Sequence, residues 1–129
     1  MKKISSILVF LVFCFIAHAE LKVSNICSNG MVLQQNSEVA LWGTSAPGAQ
    51  ITVTTSWNGA SYRTRTAPEG RWTVKVKTPS ASYKSYTVSV KGDGGSLKID
   101  DVLIGEVWLA SGQSNMEMPM RGFYNCPVE

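Results

Sequence analysis

From Met31 to about Asp100 the apolar positions recur every second residue. Val39 and Leu41 alternate with Ala40 and Trp42, and Ile51, Val53, Thr55 and Trp57 share one face of the next run. Trp72, Val74 and Val76 do the same with Thr73, Lys75 and Lys77 opposite them. Tyr86, Val88 and Val90 repeat the pattern, followed by Leu97 and Ile99. Alternation of this kind marks half-buried antiparallel strands, because successive side chains of a strand point to opposite faces. The separators are turn-formers: Ala46-Pro47-Gly48, Asn58-Gly59, Ala67-Pro68-Glu69-Gly70 and Gly92-Asp93-Gly94-Gly95. Asn58-Gly59 is the strongest hairpin signal, since both residues tolerate positive φ. Strands at roughly ten-residue spacing, with no helical pattern between them, predict a mainly β chain whose residues 20–100 form an antiparallel β-sandwich.

The rhythm changes at Asp101. Val102-Leu103-Ile104 and Val107-Trp108-Leu109-Ala110 are apolar without clean alternation, as expected of a strand covered on both faces. Ser111-Gly112-Gln113-Ser114 then forms a small-residue turn. Met116, Glu117 and Met118 favour a helix that Pro119 soon limits. Residues 101–129 therefore read as a strand–turn–helix, the opening of a truncated α/β domain that cannot bury its own faces.

The first nineteen residues stand apart. Lys2 and Lys3 precede the apolar run Ile4 to Ala17, and Ala17-His18-Ala19 supplies the small residues of a signal-peptidase site, with Glu20 as the new N-terminus. An uncleaved anchor is the alternative, but the run is shorter than the ~18 residues that read as a bilayer span. Bulky Phe13 argues against lipid attachment at Cys14. The expectation is an exported protein, periplasmic or secreted, with no membrane association after cleavage.

Loss of Lys2 and Lys3 brings the formal net charge of +3 close to neutrality. No run of lysine and arginine marks a phosphate-backbone site, so nucleic acid is not an expected partner. Cys27 and Cys126 remain of the three cysteines in the sequence, near opposite ends of the mature chain. In an oxidising compartment they are a candidate disulfide, with two separate thiols as the equal alternative. The sole histidine, His18, leaves with the signal, so neither a metal site nor a cofactor is expected.

Ser114 carries the candidate chemistry. A small turn after a buried strand presents a hydroxyl at a sheet edge, Gly112 leaves room for substrate, and a following helix N-terminus offers N–H groups to a developing oxyanion. The plainer alternative is a helix cap at Ser111 or Ser114. The residues GEVWLASGQSNMEMP (105–119) resemble the first conserved block of the sialate O-acetylesterases, carbohydrate esterases of the serine-dependent SGNH-hydrolase group. Cys27-Ser28-Asn29-Gly30-Met31-Val32-Leu33-Gln34-Gln35 is similar to that family's opening F-S-D-N-M-V-L-Q segment. Trp42-Gly43, Ala46-Pro47-Gly48 and Gly70-Arg71-Trp72 fall where such proteins place similar elements.

The resemblance implies hydrolysis of acetyl esters on sugars through an acetyl-enzyme on Ser114, whose backbone N–H is an oxyanion donor. Gly112 provides close approach, and Gln113 and Asn115 support the loop. The implied partner is an O-acetylated carbohydrate. The family's Asp-x-x-His segment, which carries the base, lies much later in its chains. These 129 residues hold no histidine beyond His18, so the chain reads as an N-terminal fragment, inactive alone. The rival reading is a non-catalytic secreted β-sandwich with a carbohydrate-binding or structural role.

Among the tryptophans, Trp57 and Trp72 are in phase with apolar neighbours and read as core, whereas Trp42 is out of phase and the best candidate for an exposed aromatic. Glu106 reads as pointing into structure from its strand, and Arg63 and Arg65 as a solvated strand face.

Overall fold

The computed structural model describes residues 19–113. The described part is built of strands: β1 (Lys22–Val23), β2 (Val32–Gln34), β3 (Glu38–Thr44), β4 (Gln50–Thr55), β5 (Ser61–Arg65), β6 (Arg71–Lys77), β7 (Ser82–Gly92) and β8 (Gly95–Gly105). They form a three-stranded sheet in the order β1-β3-β6 and a five-stranded sheet in the order β2-β8-β7-β4-β5. Both sheets send side chains into one core: Leu41, Trp72, Val74 and Val76 from the smaller, and Leu33, Ile51, Val53, Val88, Val90, Ile99, Val102 and Ile104 from the larger. Leu41, Ile51, Val53, Trp72, Val74, Val76, Val88, Val90 and Ile99 are in-phase positions of the period-two pattern, whereas Leu33, Val102 and Ile104 lie outside it. Arg63 and Arg65 lie on the exposed face of β5.

Not every pairing is antiparallel. β2 runs parallel to β8, with Val32, Leu33 and Gln34 opposite Leu103, Ile104 and Gly105. A parallel pair needs a long crossover rather than a hairpin, and here all the intervening strands supply it.

The β4–β5 hairpin forms where Asn58-Gly59 predicted, through a longer turn than the two-residue type. Gly59 takes φ +66°, and Asn58 is absent from the positive-φ residues of the described chain. Its side chain works instead: Asn58 Oδ1 accepts hydrogen bonds from Ala60 N (3.0 Å) and Thr55 Oγ1 (2.6 Å). An asparagine side chain that bonds its own turn replaces the backbone conformation expected of it.

At Gly43 close approach leaves no room for a side chain. A Cβ there would lie 1.9 Å from the Lys22 carbonyl oxygen and 2.8 Å from Trp72 Cζ2. The glycine after Trp42 thus lets β1 lie against β3 and the Trp72 ring slide beneath it.

The change of rhythm at Asp101 has a local cause. Asp101 adopts φ +55° inside β8, and the β7–β8 register shifts between Ser82, Tyr86 and Val88. An inserted residue flips the phase, so buried positions move from Ile99 to Val102 and Ile104 while Leu103 faces outward. The stretch expected to be covered on both faces is thus an alternating continuation of β8. Asp100 N donates to Asn29 Oδ1 (2.9 Å), Gly30 N donates to Asp100 O (3.1 Å), and Ser85 Oγ donates to Asp101 Oδ1 (3.1 Å). Asp101→Val puts a β-branched side chain in the left-handed region and is expected to cost about 1–2 kcal/mol in urea unfolding, whereas Asp101→Gly should be neutral or stabilising.

Candidate functional site

The candidate segment begins where β8 ends, at Gly105. The residues from Glu106 to Gly112 form neither strand nor helix, and all are exposed. This corrects the expectation of a buried strand through Val107-Trp108-Leu109-Ala110: Trp108 and Leu109 are 86% and 94% exposed. No described strand pairs with this segment, so its backbone groups lack a ladder and its side chains lack a covering face. Gly112 and Gln113 are exposed at the end of the described chain. Ser114 and Asn115 lie outside the described residues, as do the expected helix and Cys126. Cys27 is buried in the core, and burial pushes its thiol pKa upward, partly offset by a backbone hydrogen bond at Trp42.

Two adjacent amides fasten the root of this segment. Gln34 Nε2 donates to Glu106 Oε2 (2.9 Å), and Gln34 Oε1 accepts from Val107 N (2.8 Å). Gln35 Nε2 donates to Glu106 Oε1. Its own Oε1 accepts from Ala81 N (2.9 Å), tying in the start of β7, and Gln35 N donates to Gly105 O (2.8 Å). The backbone beneath is fixed by Thr78 Oγ1, which donates to Gln34 O (2.6 Å). Glu106 therefore does not point into the core; it is exposed and held at both oxygens.

This clamp was invisible in the sequence. In the sequence Gln34 and Gln35 stand only as part of a motif, and their contacts with Glu106 span more than seventy positions. The available signal was that two motif blocks, 27–35 and 105–119, both needed a place. Parallel pairing of β2 with β8 lays the first beside the beginning of the second.

Hydrogen bonds from Gln34, and then from Gln35, hold the Glu106 carboxyl pKa below its ordinary value. A depressed carboxylate pKa means that the clamp's stabilisation is present above the unfolded value, about 4.3, and is lost as pH falls through the folded one. Gln34→Ala is expected to raise the Glu106 pKa toward that ordinary value, as followed by NMR of the carboxyl carbon. An unchanged titration would contradict the clamp.

Among the described residues there is no histidine to serve as a base and no group of three or more His, Cys, Asp or Glu side chains placed to hold a metal. No helix of the described chain is long and apolar enough to cross a membrane.

No family model matches the chain. Curated relatives do, among them the sialate O-acetylesterase of Mus musculus, 32% identical over 117 residues, and that of Pongo abelii, 33% identical over 128 residues. Each match covers 84% of this chain. A carbohydrate acetylesterase from Xanthomonas citri, of solved structure, is 37% identical over 77% of the chain with a TM-score of 0.67. The chain belongs to the sialate O-acetylesterase-type family. It spans about a fifth of these relatives' length: 21% of the mouse protein, 22% of the orangutan protein and 22% of the Xanthomonas chain. Within the sialate O-acetylesterase-type frame, the Gln34–Gln35 clamp holds the start of the stretch that leads along the chain to Ser114.

Proposed function

We propose that this chain is the N-terminal part of an exported, serine-dependent carbohydrate O-acetylesterase of the SGNH type. In this reading a signal peptide (1–19) precedes a β-sandwich domain, and the segment from Asp101 opens an α/β domain. The observation that carries the reading is the 37% identity to a carbohydrate acetylesterase of the same fold, together with a strand exit anchored at Glu106 and Val107, ahead of Ser114 in the chain.

In the proposed reaction the Ser114 Oγ attacks the acetyl carbonyl carbon and its proton passes to a base. The carbonyl oxygen becomes an oxyanion that the Ser114 N–H stabilises, and the tetrahedral intermediate collapses with loss of the sugar hydroxyl, which takes up the proton. Water then attacks the acetyl-enzyme and releases acetate, regenerating the serine. Gly112 leaves the approach to the oxyanion open, and Gln113 and Asn115 orient the loop. The base is proposed to come from residues outside these 129, whose one histidine is His18.

The test is acetate release from O-acetylated sugars by the full-length protein and by the 129-residue chain. Turnover by the first and none above background by the second is the expected outcome. Ser114-dependent turnover by the short chain would overturn the proposed inactivity of the fragment, and absence of turnover by the full-length protein would overturn the esterase reading.

A further inference from the structure

The outer face of the three-stranded sheet collects charge that the sequence keeps apart. Alternation along β6 places Arg71, Thr73, Lys75 and Lys77 outward while Trp72, Val74 and Val76 enter the core. On β3, Trp42 points to the same side, directly opposite Thr73. The diagonal neighbours of Trp42 are therefore Arg71 and Lys75, each at about 7–8 Å between backbones, within reach of long side chains. Trp42 is 39% exposed. A shallow depression beside it is lined by Asn25, Thr44, Arg71 and Thr73.

The charge on this face is unbalanced. Lys22, opposite Thr44, is paired with Glu20 at 3.4 Å, and Glu38 sits across from Lys77. Among the described residues Arg71 and Lys75 make no salt bridge, and they flank the one exposed ring of the face. A strand surface with an aromatic ring between two cations, edged by hydroxyl and amide groups, suits a ligand with an apolar ring face, hydroxyls and a negative charge.

We propose that this face is a binding surface for a carboxylate-bearing glycan. A sugar ring lies on Trp42, its carboxylate meets Arg71 or Lys75, and its hydroxyls bond Thr73 and Asn25. Such a surface holds a polymeric acidic substrate near the protein without taking part in ester cleavage. The choice of a glycan over other polyanions rests on the carbohydrate-esterase reading above.

The test uses the full-length chain carrying Ser114→Ala, so that no ester is consumed, with polygalacturonate, neutral dextran and an oligothymidylate as probes in titration calorimetry. Polygalacturonate is expected to bind, more weakly as salt rises. Trp42→Ala and, separately, the charge reversal Lys75→Glu should each weaken it about tenfold or more while the melting temperature holds. Equal binding of dextran, binding of oligothymidylate as tight as that of polygalacturonate, no binding at all, or indifference to both substitutions would each overturn the inference. Hydrolysis of a small acetyl ester by the unsubstituted protein is measured in parallel. Hydrolysis without polygalacturonate binding refutes this surface alone, and binding without hydrolysis refutes the esterase reading alone.

Discussion

Trp72→Ala is expected to bring the β domain to the edge of unfolding, by about 3–5 kcal/mol, the range found for emptying a buried aromatic site. Trp72 is 1% exposed and heads the largest fully buried side chains of the described chain. It sits where β1, β3 and β6 meet: its Nε1 donates to Thr44 O (3.3 Å), and the absent side chain of Gly43 is what admits the ring. Because β1 and β3 close over the ring from outside, the vacated space cannot collapse without moving backbone. A domain of this size has about 5–15 kcal/mol in all, so such a loss lowers the melting temperature by roughly 15–30 °C. Trp72→Phe keeps most of the volume and loses the indole hydrogen bond, and it should cost about 1–2 kcal/mol. Thermal unfolding followed by far-ultraviolet circular dichroism measures both; equal, small effects would contradict the packing described.

The second large effect concerns chemistry. Ser114→Ala in the full-length protein is expected to reduce acetyl-ester hydrolysis to background, a fall on the order of 10⁶-fold in kcat of the kind seen when a catalytic serine is removed. Alanine lacks the oxygen that forms the acyl bond, while the backbone N–H proposed as oxyanion donor remains. KM should therefore change far less than kcat. Folding should not change, because the substitution removes one oxygen atom and adds no volume; an unchanged melting temperature checks this. Ser111 provides the internal control. If Ser111 were the essential hydroxyl, Ser111→Ala would abolish turnover and Ser114→Ala would spare it.

The parts of the fold that the sequence made legible are those governed by local physics. Period-two alternation marked Leu41, Ile51, Val53, Trp72, Val74, Val76, Val88 and Val90 as inward-facing, and every one is buried. Trp42, out of phase with its neighbours, is exposed. What local pattern could not carry was pairing between distant strands. The parallel union of β2 with β8 leaves no turn signal, and without it the role of Gln34 and Gln35 could not be inferred. The bulge at Asp101 altered the alternation in a way that two different structures would share, a doubly covered strand or a phase flip within one strand. Only the pairing partner distinguishes them. Trp108 and Leu109 showed the converse problem: an apolar run announces that something must cover it, and the described residues do not include that cover. At the candidate site, residue identity and motif pointed to Ser114, while the clamp behind it emerged from contacts.

Trapping the acyl-enzyme tests the central claim most directly. The full-length protein is mixed with an O-acetylated sugar, quenched in acid during turnover and digested with trypsin, and the peptide spanning residues 99–121 is analysed by mass spectrometry. The account predicts the mass increment of one acetyl group, localised by fragmentation to Ser114 and absent after Ser114→Ala. Turnover of the ester with this peptide unmodified under conditions that trap acyl-enzymes, or with the acetyl group on another residue, would contradict it.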